Sequence, residues 1–151
     1  MKTLIQRRRP SSLSCAIARR GTTVRAQLRS VATLIEVSGA VRADKTTALQ
    51  TQLRRFVLLD SPLILDLTCV VGVSDELLRR LLGPIEIDCR MGNVALFVVI
   101  RHDTFEHVRL DEATEIVGST NEALRRVVER IRERRNPDFL APYAPELLRK
   151  A

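Results

Sequence analysis

The sequence of 151 residues is poor in the residue types that mark disulfide, metal and stacking sites. It has no tryptophan, one tyrosine and three cysteines, and Cys15, Cys69 and Cys89 lie far apart in the chain. An odd number of isolated cysteines, with no CxxC pair or Cys/His cluster, argues against a disulfide framework or a zinc site. No apolar run approaches the roughly 18 residues that a membrane helix needs. We therefore expect a cytoplasmic protein with reduced thiols, no bound metal and no membrane association.

Enzyme motifs are missing as well. The chain contains no G-x-S-x-G, no P-loop and no G-x-G-x-x-G. His102 and His107 are five residues apart, which is not the i,i+4 spacing of a helical metal pair. Cys69 has no neighbouring histidine and is interpreted as a small core residue, and Asp66 as a cap for loop amides. The sequence therefore predicts a protein that is not an enzyme and has no cofactor.

The charge is concentrated at the two ends of the chain. The formal net charge is +7, yet residues 1–20 hold six bases and no acid, residues 21–124 hold 11 bases and 14 acids, and residues 125–151 hold eight bases and four acids. We interpret residues 1–21 as a basic, disordered tail and residues 136–151, which contain three prolines, as a C-terminal extension. Nucleic-acid binding through the basic ends remains an alternative, although no aromatic residues are interleaved for stacking.

Between the ends, hydrophobic periodicity predicts alternating strands and helices. Strands are expected at 24–28, 31–37, 63–67, 94–100 and 114–117. Helices are expected from Asp44, which would cap the first, to about residue 59, from Ser74 to a stop or kink at Gly83–Pro84, over 104–110, and after a Ser119–Glu122 capping box. This order predicts an α/β domain over residues 22–135, with a mixed, mostly parallel sheet of four to five strands and about four helices.

Three segments together resemble the STAS domain, the fold of bacterial anti-sigma-factor antagonists. They are Leu34-Ile35-Glu36-Val37-Ser38-Gly39, the stretch from Leu65-Asp66-Leu67-Thr68 to Ser74-Asp75-Glu76-Leu77-Leu78, and Ile116-Val117-Gly118-Ser119-Thr120-Asn121-Glu122-Ala123-Leu124. The resemblance covers roughly residues 22–135 and depends on the order and spacing of these motifs.

The resemblance implies a phosphorylation switch, from which this chain departs. In the family, a Ser or Thr at the start of the second helix accepts phosphate from a partner kinase that is also the anti-sigma factor, and phosphorylation breaks the complex. Here Glu76 stands at the acceptor position, with Asp75 before it and Leu77 after it. Glu76 carries about one negative charge, against about 1.5 to 2 for a phosphate. Ser74 and Thr68 are the remaining candidate acceptors.

The resemblance implies a partner-binding site, listed as Ser38, Gly39, Asp44, Ser74, Asp75, Glu76, Arg79 and Arg80. A purely structural interpretation also accounts for the helix start: Ser74 as N-cap, acids at the positive end of the helix dipole, and i,i+4 ion pairs. The leading hypothesis is a non-enzymatic regulatory module that binds an anti-sigma factor or other regulatory protein. The alternatives are a STAS-like nucleotide or small-ligand sensor and a nucleic-acid-associated accessory protein.

Overall fold

The computed structural model describes residues 14–19, 21–29, 31–58, 61–101 and 109–135. These residues form one six-stranded sheet, in the order β1-β2-β3-β4-β5-β6. The strands are β1 (Ser14–Arg19), β2 (Thr22–Leu28), β3 (Thr33–Ala40), β4 (Leu63–Val71), β5 (Leu96–Val99) and β6 (Thr114–Val117). The helices are α1 (Thr46–Arg54), α2 (Asp75–Met91) and α3 (Thr120–Arg135), with a 3-10 turn at Ala43–Lys45 before α1.

The sheet is mixed, as predicted. β1, β2 and β3 pair antiparallel, whereas β3, β4, β5 and β6 are parallel. α1 connects β3 to β4 and α2 connects β4 to β5, and both pack on one face of the sheet. α3 follows β6 and packs on the other face. Every residue of β5 is buried because its strand is covered on both faces, which explains its continuous apolar sequence.

The hydrophobic core therefore has two layers. The larger one joins alternate residues of β2–β5 to the apolar faces of α1 and α2, with Leu53, Leu78, Leu82 and Ile85 at most 1% exposed. The smaller one lies under α3, where Ala123 and Val127 pack on the other face of the sheet. The predicted α/β architecture is confirmed.

The N-terminal strand differs from the sequence prediction. Residues 14–19 were expected to belong to a disordered tail, but they form β1, which pairs with β2 along its whole length from Ser14–Gln27 to Arg19–Thr22. Gly21, with φ of 93°, lies between the two strands and directly precedes β2. An edge strand is stabilised by backbone hydrogen bonds to its neighbour. The basic side chains of the segment do not indicate whether such bonds form. The sheet accordingly has six strands rather than four to five.

The helix boundaries also differ. Asp44 lies inside the 3-10 turn and caps no helix, because the residue that precedes α1 is Lys45. α1 ends at Arg54 instead of near residue 59, and the next amides, of Phe56 and Val57, bond to carbonyls three residues earlier. The predicted helix over 104–110 and its neighbours His102 and His107 lie largely outside the described residues, as does the C-terminal extension.

Gly83–Pro84 does not end the second helix. α2 continues through Pro84 to Met91. Proline has no amide hydrogen, so the carbonyl of Arg80, four residues before Pro84, has no donor within the helix. Gln50 of α1 supplies one: its Nε2 donates to the Arg80 carbonyl oxygen at 2.7 Å and to that of Leu81 at 3.3 Å. The side chain of Gln50 therefore joins α1 to α2.

Among the described residues, no helix is long and apolar enough to cross a membrane.

Candidate functional site

The candidate site lies where the parallel strands β3 and β4 reach their carboxyl ends. Ser38 pairs with Cys69 and Gly39 pairs with Val70 in the β3–β4 ladder. Parallel strands end at the same edge of a sheet, so the end of β3 is brought beside the loop that connects β4 to α2. Ser38 and Gly39 therefore lie beside the β4–α2 connection.

A β-bulge shapes the end of β4. Between the pairs Glu36–Asp66 and Ser38–Cys69, β4 contains one residue more than β3. The extra residue shifts the phase of the side chains, and Cys69 is exposed instead of lying in the core. The interpretation of Cys69 as a core residue was therefore wrong. The described cysteine that does lie in the core is Cys89 on α2, which is 2% exposed. Burial raises the pKa of its thiol to about 11.

The connection from β4 to α2 forms an open depression on the surface. It is lined by residues 67–74 and by Arg101, which follows β5. Gly72 has φ of 72°, a conformation that favours glycine, and the neighbouring Val71 side chain is 61% exposed. Sequence reasoning missed Arg101, although its position directly after a buried parallel strand places it at the same edge of the sheet.

The start of α2 is built as the sequence predicted in two respects, its N-cap and one of its ion pairs. Ser74 has extended backbone angles, and its Oγ accepts a hydrogen bond from the Leu77 amide at 3.2 Å, so it is the N-cap. Glu76 and Arg80 form an i,i+4 ion pair of 3.3 Å, and their side chains are 82% and 61% exposed. The other predicted ion pair, between Asp75 and Arg79, is not formed. The first two turns therefore present two acids and two arginines.

Asp66 and Thr68 lie on the face of the sheet that carries α3. The Asp66 carboxylate accepts hydrogen bonds from the Thr68 amide at 2.9 Å, the Thr68 hydroxyl at 2.7 Å and the Thr120 hydroxyl at 3.1 Å. Asp66 was interpreted as a cap for loop amides; it does accept a backbone amide, but that amide, of Thr68, lies within β4. The carboxylate also connects β4 to the first turn of α3. Thr68 Oγ1 is thus bonded to a carboxylate.

Two other predicted site residues have local structural roles. Gly39 has φ of 94°, and a side chain there would overlap with the Gly21 carbonyl oxygen of the neighbouring turn. Asp44 is half exposed and forms an ion pair with Arg42 of 3.2 Å.

The capping box that begins α3 is formed, except that the glutamate accepts from the amide that precedes the N-cap and not from the N-cap amide. The Glu122 amide donates to Ser119 Oγ, and the Glu122 carboxylate accepts from the Gly118 amide, both at 3.1 Å. This hydrogen bond, together with the neighbouring Arg126, lowers the pKa of Glu122. The charge of Glu122 therefore stabilises α3 and is separate from the acids of α2.

Comparison with known proteins identifies the fold. No protein-family model matches the chain, and no curated protein sequence matches it. Among solved structures, the chain is similar to an anti-sigma factor antagonist from Mycobacterium paratuberculosis, with a TM-score of 0.55 and 23% sequence identity. The similarity covers 70% of this chain and 93% of that one. The chain therefore has the STAS fold that its motifs predicted.

Proposed function

We propose that the chain is a cytoplasmic, non-enzymatic regulatory module that binds an anti-sigma factor through residues 74–80. The observation that carries this proposal is a STAS fold whose β4–α2 connection ends in an exposed, charged helix start. The structurally similar protein is an anti-sigma factor antagonist. Glu76 forms its ion pair with Arg80 of the same segment. A second molecule could therefore contact both side chains without disturbing the core.

The charge at the helix start is permanent in this proposal. Position 76 carries a carboxylate and no hydroxyl, so it accepts no phosphoryl group. The partner surface would therefore be complementary to a negative charge at all times, and the interaction would not be switched at this position. Charges at an exposed position mainly steer the encounter and fix its register, which suits a recognition role.

The remaining hydroxyls are less suited to a switch. Thr68 Oγ1 donates its hydrogen to Asp66, so a phosphoryl group there would replace a hydrogen bond with repulsion between two anions. Ser74 Oγ accepts from the Leu77 amide as N-cap, and Asp75 and Glu76 follow it directly. We propose that the complex with the anti-sigma factor forms without phosphorylation at either residue.

Neighbouring surface would widen the contact. Ser38 and Gly39 pair with Cys69 and Val70 at the end of β4, beside the same connection. Asp44, in the turn that leads from β3 to α1, is exposed and paired only with Arg42 among the described residues. We propose that these three residues flank the main contact.

The test is a calorimetric titration of the full chain with the purified anti-sigma factors of its source organism. Glu76→Lys should weaken the complex by at least tenfold, about 1.4 kcal/mol, because the partner would meet the opposite charge. Glu129→Lys is the matched control: it makes the same change of charge at an exposed position of α3, on the other face of the sheet.

Two results would contradict the proposal: no anti-sigma factor binds the chain, or Glu76→Lys and Glu129→Lys have equal effects. Mass spectrometry of the chain recovered from its own cells tests the switch separately. Phosphate found on Ser74 or Thr68 would overturn the proposal of an unswitched complex and leave the binding site itself intact.

A further inference from the structure

The first strand of the sheet has a neighbouring strand on one side only, among the described residues. The sheet runs in the order β1-β2-β3-β4-β5-β6, so β1 and β6 are its two edge strands. β1 pairs with β2 without a bulge, from Ser14–Gln27 to Arg19–Thr22. The outer side of an edge strand presents N–H and C=O groups that can bind a further strand. The hydrogen bonds of β2 determine which residues of β1 present them.

Two hydrogen bonds fix the direction of the backbone groups along β2. The Ala40 amide donates to the Gly21 carbonyl at 3.1 Å, and the Arg29 amide donates to the Ala32 carbonyl at 2.9 Å. Opposite residues of antiparallel strands alternate between hydrogen-bonded and non-hydrogen-bonded pairs. Since β2 and β3 pair without a bulge, the odd-numbered residues from 21 to 29 direct their backbone groups toward β3. The even-numbered residues of β2 therefore direct theirs toward β1.

The same alternation assigns the two sides of β1. Its odd-numbered residues pair with even-numbered residues of β2, so their backbone groups are directed toward β2. Ser14, Ala16 and Ala18 pair with odd-numbered residues of β2 and direct their N–H and C=O groups to the outer side. The outer side of β1 thus presents one donor and one acceptor at every second residue.

The two edge strands differ in their protection against pairing. Natural edge strands are commonly blocked by short length, charged residues, proline or a bulge. β6 has four residues, and one of them, Glu115, is ion-paired with Arg126 and Arg130 of α3. β1 has six residues, and residues 14–18 contain no charged residue and no proline. β1 therefore lacks the charges, the proline and the bulge that keep other edge strands unpaired.

We propose that β1 pairs antiparallel with β1 of a second copy of this chain, so that two sheets join into one. A single register pairs all the outward-directed residues of both copies with each other. It sets Ala16 opposite Ala16 of the second copy, and Ser14 opposite Ala18 in both directions. Each of these pairs would exchange two hydrogen bonds, and a twofold axis would pass between the two Ala16 residues, as in other symmetric dimers.

An extended peptide of another protein is the competing occupant, because β-strand addition uses the same backbone groups. Self-pairing brings each charged residue of a strand near a like charge of the other copy, and residues 14–18 carry no charge that would oppose it. The absence of charge also offers no selectivity for a peptide of opposite charge. Two paired strands form a contact smaller than the roughly 1,200 Å² of stable interfaces, so the dimer should dissociate on dilution.

The first experiment measures the molecular mass of the full chain by sedimentation equilibrium, from about 1 to about 500 µM. The mass should rise from 17.0 kDa toward twice that value. Ala16→Pro removes an outward-directed amide, which an edge strand tolerates, so dimerisation should weaken about tenfold or more at little cost in the free energy of unfolding. Ile17→Pro is the matched control, because it removes an amide directed toward β2 and should destabilise the fold.

The second experiment tests the register by an exchange of charge at Ala16. Ala16→Lys and Ala16→Glu should each weaken dimerisation, because the register sets like charges directly opposite each other. An equimolar mixture of the two variants should dimerise about tenfold more tightly than either alone. The matched controls are Ala48→Lys and Ala48→Glu, which make the same changes at an exposed position of α1.

Four results would overturn the proposal. They are a chain that stays monomeric at the highest concentration, an Ala16→Pro protein that dimerises as the unchanged chain does, a mixture of Ala16 variants that behaves like the mixture of Ala48 variants, and slow hydrogen exchange of the Ala16 and Ala18 amides in the monomer. The last result would show that another segment of the chain occupies the outer side of β1.

The dimer contact is separate from the proposed anti-sigma contact. β2 and β3 lie between β1 and β4, whose end leads to residues 74–80. Ala16→Pro should therefore leave the titration with an anti-sigma factor unchanged, and Glu76→Lys should leave the mass of the chain unchanged. Failure of either proposal leaves the other in place.

Discussion

Single residues around the site are constrained by backbone geometry as much as by their side chains. Gly39 ends the regular part of β3 with a positive φ, and the Gly21 carbonyl occupies the space that a side chain would need. That carbonyl also accepts a hydrogen bond from the Ala40 amide at 3.1 Å, and Thr22 Oγ1 donates to the Ala40 carbonyl at 2.6 Å. The β1–β2 turn is therefore tied to the end of β3.

Three glycine-to-alanine variants should separate the energetic cost of backbone strain from that of steric overlap. Gly39→Ala combines a left-handed backbone with a clash and should lower the free energy of unfolding by about 1–3 kcal/mol. Gly72→Ala has the same unfavourable sign of φ, but its new side chain would meet no atom within 4 Å. It should therefore lower the free energy of unfolding by about 1 kcal/mol. Gly83→Ala, within α2 and also without a neighbour, should stabilise by about 0.5–1 kcal/mol. Urea denaturation gives the three values, and a Gly39→Ala protein as stable as Gly83→Ala would refute the account.

At the scale of elements, the packing of α1 on α2 makes an internal proline tolerable. Gln50 donates a hydrogen bond to the carbonyl that Pro84 leaves without a donor. The Arg54 guanidinium donates two hydrogen bonds, of 2.6 and 3.0 Å, to the Asp88 carboxylate. The hydrogen bond from Arg54 lowers the pKa of Asp88. These contacts fix the helix whose first turns form the proposed partner site.

Gln50 and Pro84 should therefore be energetically coupled. Gln50→Ala leaves the Arg80 carbonyl unbonded and should lower the free energy of unfolding by about 1 kcal/mol. In a Pro84→Ala background the restored amide supplies the missing donor, and the same change at Gln50 should cost less than half as much. Urea denaturation of the four proteins gives the coupling energy. Equal costs in both backgrounds would show that Gln50 acts only as a packing residue.

At the scale of the whole molecule, the described ion pairs are distributed around the exterior and the core is apolar. Thr33 and Thr46 are the buried polar residues of the described part of the chain. The groups whose pKa departs from its ordinary value are thus mostly surface groups with a partner. Asp88 and Glu122 have lowered pKa values because the folded state supplies hydrogen bonds to the charged carboxylates.

Acid should destabilise the domain through these two carboxylates. A group with a lowered pKa stabilises the folded state above its unfolded pKa, and this contribution is lost as the pH falls through the folded value. We expect stability to change little from pH 8 to 5 on their account and to decline below about pH 4. Glu122→Gln keeps an acceptor for the Gly118 amide but does not titrate, so its decline should be shallower. Thermal unfolding at a series of pH values measures this, and identical profiles would exclude the Glu122 contribution.

The sequence by itself determined the order and type of the main elements. Periodic apolar residues mark β2–β6, α2 and α3, and Ser74 and Ser119 signal their helix starts through local hydrogen bonds that need no distant partner. The resemblance of three short motifs to the STAS domain predicted the fold. Absent motifs and separated cysteines likewise gave the expectation of a protein without catalytic chemistry.

Tertiary structure decided what depends on contacts between distant segments. β1 pairs with β2, Gln50 of α1 bonds to the Arg80 carbonyl that Pro84 leaves without a donor, and the bulge in β4 turns Cys69 outward. Local periodicity encodes none of these contacts. The sequence separated the positive charge into two ends. Only the sheet topology shows that β1 begins and α3 ends at the edge of the sheet away from the start of α2.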